Sequence, residues 1–123
     1  MLIPTQSLVH HNDERGRLLK AWPNAVDGEV YVVELRPGHP RGHHVHARGG
    51  EWFIPLSGQA TLSVQDPTTG EVAHVELDGI RARVKAGLAH ALHTRGPGPA
   101  LVMAVADLCP EEDITTPHQV PLG

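Results

Sequence analysis

The sequence is poor in cysteine and in long apolar runs. Cys109 is the only cysteine among 123 residues, so the chain cannot form an internal disulfide, and we expect a reducing, cytoplasmic setting. No apolar run approaches the roughly 20 residues that a membrane-spanning helix needs. The start, Met1–Thr5, lacks the charged and apolar regions of a signal peptide. These absences argue against a membrane protein or a secreted one.

Positive charge is also scarce. Ten Lys and Arg residues stand against 14 Asp and Glu residues, which gives a formal net charge of −4, and the basic residues form no run. Domains that bind nucleic acid usually carry a clustered basic footprint. We therefore expect no nucleic-acid partner.

In place of helical patterns, the sequence has short β-rich runs. No long segment has apolar residues at helical spacing, whereas 11 prolines and 13 glycines punctuate the chain. We predict nine strands between Arg17 and Asp107, in a single domain of residues 1–123 with an all-β sandwich or barrel fold. The segment after Cys109 contains three prolines and is predicted to be an extended arm over the surface.

Several predicted strands are apolar on both faces. Tyr31, Val33 and Leu35 alternate with Val30 and Val32. A small barrel buries its inner face by itself, but an apolar outer face needs another cover. We favour a homodimer as that cover, and the alternative is that the terminal arms of the same chain provide it.

Histidine is the residue type that the chain has in excess, with ten in total. His44 and His46 are two positions apart and therefore point to the same face of a strand. Glu51 follows a short turn, Arg48–Gly50, that can bring it beside them, and His90 comes some forty residues later. Imidazole suits zinc, copper, iron and nickel, and a carboxylate extends the choice to manganese. The pattern predicts a divalent transition-metal site, the alternative being a hydrogen-bonded polar cluster without metal.

This spacing resembles that of the cupin superfamily. Five residues fill the first cupin motif within positions 38–58, namely Gly38, His44, His46, Glu51 and Gly58. Three residues fit the second motif within positions 79–94, namely Gly79, Gly87 and His90, while Lys85 and Thr94 replace its proline and asparagine. The resemblance implies a small antiparallel β-barrel or jelly roll. It also implies that His44, His46, Glu51 and His90 bind zinc, iron, manganese or nickel.

The run from Arg41 to His46, Arg-Gly-His-His-Val-His, narrows the resemblance to RmlC-like cupins that act on nucleotide-linked sugars. These include dTDP-sugar 3,4-ketoisomerases, dTDP-4-dehydrorhamnose 3,5-epimerase and the cupin domain of capsular polysaccharide reductases. Residues 12–18, 89–93 and 104–113 are similar to segments of the same enzymes. The resemblance therefore implies an isomerase or epimerase of carbohydrate biosynthesis. The implied small-molecule substrate is a keto-sugar, in these enzymes a nucleotide-linked one.

The implied chemistry is proton transfer next to a ketone, which needs a base, an acid and a group that stabilises the oxyanion. By resemblance, His44 or His46 is the base without metal, and Tyr31 is the acid. When metal is bound, Glu51 or a residue outside the ligand set shuttles the proton. Two further residues, Arg41 and His93, would contact the substrate. Arg41 would pair with a phosphate or carboxylate through its planar fork, and the alternative is a structural pair with one of the 14 acidic residues. Strand parity turns His93 away from His90 unless a bulge restores it, and it turns His43 away from His44.

The sequence departs from this group in two respects. The ketoisomerases usually carry Gln at the position of Glu51 and need no metal, and the strand that supplies a tyrosine in the epimerases has none here between Leu101 and Val105. Two alternatives therefore stay open. One is a metal-dependent oxygenase or another small-molecule cupin enzyme, and the other is a non-catalytic module that binds a sugar or a small acid. The identity of the metal separates the enzymes, because zinc has no redox chemistry and iron has.

Overall fold

The computed structural model describes residues 2–123, and these form an all-β structure. Within them twelve strands follow in chain order: β1 Thr5–Ser7, β2 Val9–Asp13, β3 Gly16–Lys20, β4 Glu29–Leu35, β5 Arg41–His46, β6 Glu51–Ser57, β7 Ala60–Gln65, β8 Val72–Leu77, β9 Ile80–Val84, β10 Ala89–His93, β11 Ala100–Ala106 and β12 Thr115–Pro117. A single 3₁₀ turn, Pro110–Glu112, lies between β11 and β12. Among the described residues, no helix is long and apolar enough to cross a membrane.

The strands form two five-stranded antiparallel sheets and one hairpin. The first sheet has the order β1-β9-β6-β11-β4, the second has the order β12-β5-β10-β7-β8, and β2 pairs only with β3. Both sheets contribute to one core between them, in which Leu35, Phe53, Leu62, Val64 and Val102 are almost fully buried. This arrangement confirms the predicted jelly roll.

All nine predicted strands are present, and three short strands add to them. β1 joins β9 at the edge of the first sheet, β2 completes the hairpin with β3, and β12 joins β5 at the edge of the second sheet. These three strands bury almost none of their residues. Because they lack a buried apolar face, the hydrophobic pattern that predicts strands gave no signal for them.

Strand β5 contains a bulge just before the histidines. His90 of β10 pairs with His44, but the next residue, Ala91, pairs with Gly42, so His43 is the extra residue. Gly42 has a φ of 101°, and a Cβ there would lie 2.8 Å from the His90 carbonyl oxygen. Glycine is therefore required at position 42. His43 also has a positive φ, of 55°, and it takes the unpaired position of the bulge.

The outer faces of the two sheets are covered differently. The tail beyond β12 lies over the second sheet, where Val120 packs against Ala89 and Ala91. The backbone of residue 120 donates to His43 Nδ1 at 3.0 Å, and Arg95 donates to the Leu122 carbonyl at 2.6 Å. The arm predicted after Cys109 therefore crosses this face. On the first sheet, Val30 and Val32 stay 48% and 55% exposed.

Candidate functional site

The four predicted metal ligands converge between the two sheets. His44 and His46 lie on β5, His90 lies opposite His44 on β10, and Glu51 begins β6 in the other sheet. One ligand atom from each residue lies within 4.8 Å of all the others. The His44 ring centroid is 4.7 Å from that of His46 and 4.7 Å from that of His90, each in an edge-to-face arrangement. Strand parity and the turn before Glu51 therefore bring together the predicted set.

Glu51 is the buried carboxylate of this cluster, with 3% exposure. The Tyr31 hydroxyl donates to its Oε2 atom, and His46 Nε2 lies 2.7 Å from its Oε1 atom. Burial alone would raise the pKa of Glu51, but the contacts with His46 and Tyr31 outweigh burial and lower it. Burial and the Glu51 carboxylate raise the pKa of Tyr31, so its hydroxyl keeps the proton at neutral pH.

The three imidazoles differ in pKa because their surroundings differ. Contact with Glu51 raises the pKa of His46, whereas burial lowers the pKa of His44. His90 is 2% exposed, and burial lowers its pKa to about 3. His44 and His90 are therefore neutral at physiological pH, which is the form of histidine that binds metal.

Polar atoms without partners point into the cluster. His46 Nε2, Glu51 Oε1 and His90 Nδ1 are buried and have no well-aligned hydrogen bond to any residue in the range 2–123. The 2.7 Å approach of His46 to Glu51 is close, but it lacks the alignment of a hydrogen bond. Unpaired buried polar atoms are costly, and three in one place indicate a missing bonding partner. Three nitrogen donors and one carboxylate oxygen fit a divalent transition metal.

Two cavities flank the cluster, and they differ in charge. The first, here called the Arg41 cavity, measures about 170 Å³ and is lined by Tyr31, Val33, Arg41, His44, Phe53 and His90, among others. The second, here called the acidic cavity, measures about 230 Å³ and is lined by Glu29, Tyr31, His46, Glu51, Asp113 and Thr115, among others. No carboxylate lines the Arg41 cavity in the described part of the chain, whereas three line the acidic one.

Of the remaining predicted site residues, two line a cavity beside the cluster and one does not. Arg41 is exposed at the rim of the cavity named after it, and Tyr31 reaches both cavities. His93 is 7% exposed and lies on the other face of β10, where its Nε2 atom is 3.3 Å from Ser63 Oγ. The bulge falls in β5 and leaves the parity of β10 unchanged, so it does not bring His93 to the cluster. The placement of His93 does not support the substrate contact predicted for it.

Two residues at the site were missed by sequence reasoning. Thr115 Oγ1 lies 3.1 Å from His46 Nδ1, and Asp113 Oδ2 lies 3.8 Å from the same nitrogen. Asp113 also accepts hydrogen bonds from the backbone N–H groups of Arg48 and Gly49, at 2.9 and 3.2 Å. Asp113 belongs to the acidic segment noted in the sequence, but no spacing rule connects it or Thr115 with His46.

The two sheets form a jelly roll of the cupin type, with three histidines and one glutamate clustered between them. The chain belongs to the family described as the polysaccharide biosynthesis C-terminal domain, whose family model matches residues 11–109. No curated protein matches the chain in sequence.

Several solved structures have the same fold as this chain. A dTDP sugar isomerase from Desulfovibrio desulfuricans has a TM-score of 0.82 and 21% identity, over 94% of this chain and 84% of that one. The 3'-monoepimerase ChmJ from Streptomyces bikiniensis, in complex with dTDP-quinovose, has a TM-score of 0.75 and 20% identity, over 87% and 64%. A mutant of the 3,4-ketoisomerase QdtA from Thermoanaerobacterium thermosaccharolyticum, in complex with TDP-4-keto-6-deoxyglucose, has a TM-score of 0.68 and 15% identity, over 86% and 80%. At these identities the likeness shows a shared fold.

Proposed function

We propose that the protein is a metal-binding isomerase or epimerase that moves a proton next to the ketone of a nucleotide-linked keto-sugar. The observation that carries the proposal is the Arg41 cavity, in which an exposed cation, a protonated hydroxyl and two neutral imidazoles face one space. That combination supplies an anchor for an anion, an acid and a base. The fold likeness to a dTDP sugar isomerase, an epimerase and a ketoisomerase is in keeping with it.

The charge of the two cavities favours one of them for the substrate. A nucleotide-linked sugar carries two phosphates, and Arg41 provides a planar, permanently charged partner for them. The acidic cavity holds three carboxylates, Glu29, Glu51 and Asp113, which would repel phosphate. Sites for drug-sized ligands usually measure about 300–1,000 Å³. At about 170 Å³ the Arg41 cavity suits the sugar ring, with the diphosphate passing the exposed Arg41 side chain.

The cluster of three histidines and one glutamate is the proposed location of the metal. His44, His46, Glu51 and His90 would hold it, and a bound divalent ion polarises a carbonyl as a Lewis acid. Tyr31 lines the cavity and is protonated at neutral pH, so it is our proposed acid. His44 is neutral there and is the base in the metal-free protein. A metal bound to His44 would make its nitrogen unavailable as the base, and Glu51, which accepts a hydrogen bond from the Tyr31 hydroxyl, would then be the residue that shuttles the proton.

The test is deuterium wash-in, with a dTDP-linked 4-keto-6-deoxy sugar in D₂O and mass spectrometry of the product. We expect deuterium at a carbon flanking the ketone, and the Tyr31→Phe variant should lose most of the exchange while it still binds dTDP. A suitable control is Tyr31→Phe examined by circular dichroism, which should match the wild type. Tight binding of the keto-sugar without any exchange would instead identify a non-catalytic binding module.

The donor set keeps one second candidate, a metal-dependent oxygenase. Three imidazoles and one carboxylate also suit iron, manganese and nickel. Metal analysis of protein purified without chelator or nickel resin separates the two functions. Stoichiometric iron together with substrate-dependent oxygen uptake would favour the oxygenase, whereas zinc favours the isomerase.

We further propose that the protein acts as a homodimer in the cytoplasm. Val30 and Val32 of the outer face of β4 are 48% and 55% exposed, and Leu101 of the neighbouring β11 is 37% exposed. An exposed apolar strip on an edge strand favours a second subunit as its cover. The single cysteine is in keeping with a reducing compartment. Light scattering after size exclusion tests the dimer.

A further inference from the structure

We propose that the C-terminal strap, residues 113–123, sets how tightly the histidine cluster holds its metal, because Thr115 and Asp113 fix the orientation of His46. This inference rests on the metal binding that forms part of the proposed function. It assigns a positioning role to a segment that contributes none of the four ligands. Three features support it: the place of the strap in the sheet, the groups that the strap holds, and the contribution of such groups to metal binding.

The strap is the direct neighbour of the strand that carries two ligands. Its strand β12 pairs antiparallel with β5, with Thr115 opposite His46 and Pro117 opposite His44. The backbone contact continues beyond β12, where His118 N–H donates to the His43 carbonyl at 2.8 Å. Without the strap, β5 would be the edge of the second sheet, since β12 is the only strand on that side of it in the described chain. An edge strand has unpaired N–H and C=O groups along one side, and backbone with few partners opens more readily.

Thr115 contacts the Nδ1 atom of His46, and the Nε2 atom of the same ring faces the cluster. Its Oγ1 atom lies 3.1 Å from His46 Nδ1, while His46 Nε2 faces Glu51 and the cluster. When Nδ1–H donates to the threonine hydroxyl, Nε2 carries the lone pair that a metal needs. The Thr115 contact therefore holds the ring in the orientation that suits coordination, and it is compatible with the tautomer that coordination needs.

Asp113 holds the segment between two ligands. Its Oδ1 atom accepts from the Arg48 backbone N–H and its Oδ2 atom accepts from the Gly49 N–H, so the turn between His46 and Glu51 is tied to the strap. The same Oδ2 atom lies 3.8 Å from His46 Nδ1. One residue of the strap thus positions the turn that places Glu51, and another positions the His46 ring.

Groups that orient metal ligands typically contribute about 10- to 100-fold in metal affinity. Thr115 is exposed and its contact is a single neutral hydrogen bond, which places the expected effect at the lower end, about tenfold. The comparison uses Thr115→Val, which keeps the shape and removes the hydroxyl, and Thr115→Ser, which keeps the hydroxyl. Thr116→Val is the matched control, because Thr116 lies on the same strand opposite Val45 and makes no side-chain hydrogen bond within residues 2–123.

The experiment is a titration of each full-length variant, first stripped of metal, with Zn²⁺ against a competing chelator. We expect Thr115→Val to bind about tenfold more weakly than the wild type, and Thr115→Ser and Thr116→Val to bind like the wild type. The visible spectrum with Co²⁺ in place of Zn²⁺ should change for Thr115→Val alone, since it reports the ligand geometry. Equal affinity for Thr115→Val and Thr116→Val would overturn the inference and leave the metal site standing. A wild type that binds no divalent metal would overturn the metal site itself, and the inference with it.

Hydrogen exchange gives a second readout that a purely structural role would not move. Coupling between two sites is reciprocal, so a strap that strengthens metal binding is itself stabilised by the metal. Saturating Zn²⁺ should slow exchange of the His118 and Val120 amides by up to about tenfold, but it should leave the amides of the β7–β8 hairpin unchanged. The slowing should be lost in Thr115→Val. Exchange at the strap that is indifferent to Zn²⁺, in a protein that binds the ion, would contradict the coupling.

Discussion

The buried imidazole of His90 makes the metal-free protein sensitive to mild acid. In the unfolded chain a histidine has a pKa near 6.5, whereas burial lowers the pKa of His90 in the folded protein to about 3. Between these values the unfolded chain binds a proton that the folded protein does not. The free energy of unfolding therefore falls as the pH drops below about 6.5, and it continues to fall until the folded pKa is reached.

The size of this loss follows from the linkage relation. Between pH 7 and pH 5 the contribution of His90 to the free energy of unfolding falls by about 2 kcal/mol, at about 1.36 kcal/mol for each unit that the pH lies below the unfolded pKa. The figure does not depend on the folded pKa as long as that value lies well below 5. In the same interval His46 acts in the opposite sense, because Glu51 raises its pKa and its proton stabilises the fold.

The assay is urea unfolding of metal-free protein, with chelator present, at pH 7 and at pH 5. His90→Gln removes the titrating ring, so it should lose about 2 kcal/mol less than the wild type over this interval, whatever its stability at pH 7. His39→Gln, at an exposed position, is the control and should behave like the wild type. An equal loss in His90→Gln and the wild type would refute the reasoning, since it would mean that the folded protein already carries a proton on His90 at pH 5.

Three further predictions concern the ligands, the anion contact and the dimer. His44→Ala combined with His46→Ala should abolish metal retention with an unchanged circular dichroism spectrum, and stoichiometric metal in this variant would refute the cluster. Arg41→Ala should weaken binding of dTDP by about tenfold or more, as expected for a hydrogen bond to a charged group, while a neutral sugar binds as before. An equal loss for both ligands would assign Arg41 to structure. Val32→Glu should convert a dimer into a monomer in light scattering, and a wild type that is already monomeric would rule out the proposed interface.

The clustering of the four proposed ligands could be predicted from the sequence because their relation is mostly local. His44 and His46 share a face by strand parity, and a turn of fixed length returns the chain to Glu51. The second motif then identifies His90, and strand pairing sets it opposite His44. The same parity rule predicts that His93 points away from His90, and in the structure His93 lies near Ser63 on the other face of β10. The family resemblance, in contrast, implied a substrate contact for His93.

The contacts that position these four side chains could not be predicted in this way. Thr115 and His46 are 69 residues apart, and β12 is short, exposed and without an apolar pattern, so its pairing with β5 leaves no periodic signal. The bulge at His43 was equally invisible, because it depends on how Gly42 passes the backbone of β10. Contacts of this kind depend on tertiary structure that a single sequence does not encode locally.

Strand β5 pairs with β10 through its regular residues and contacts the C-terminal tail through the bulged residue, His43. The ladder with β10 would run unbroken if His43 were absent, since Gly42 and His44 pair with consecutive residues of β10. Deletion of His43 would therefore leave the pairing of β5 with β10 unchanged. The same deletion would remove the carbonyl and the ring nitrogen that hold the backbone of residues 118 and 120. Relatives that lack the extra residue should keep the histidine cluster and let the end of the chain diverge freely in length and course.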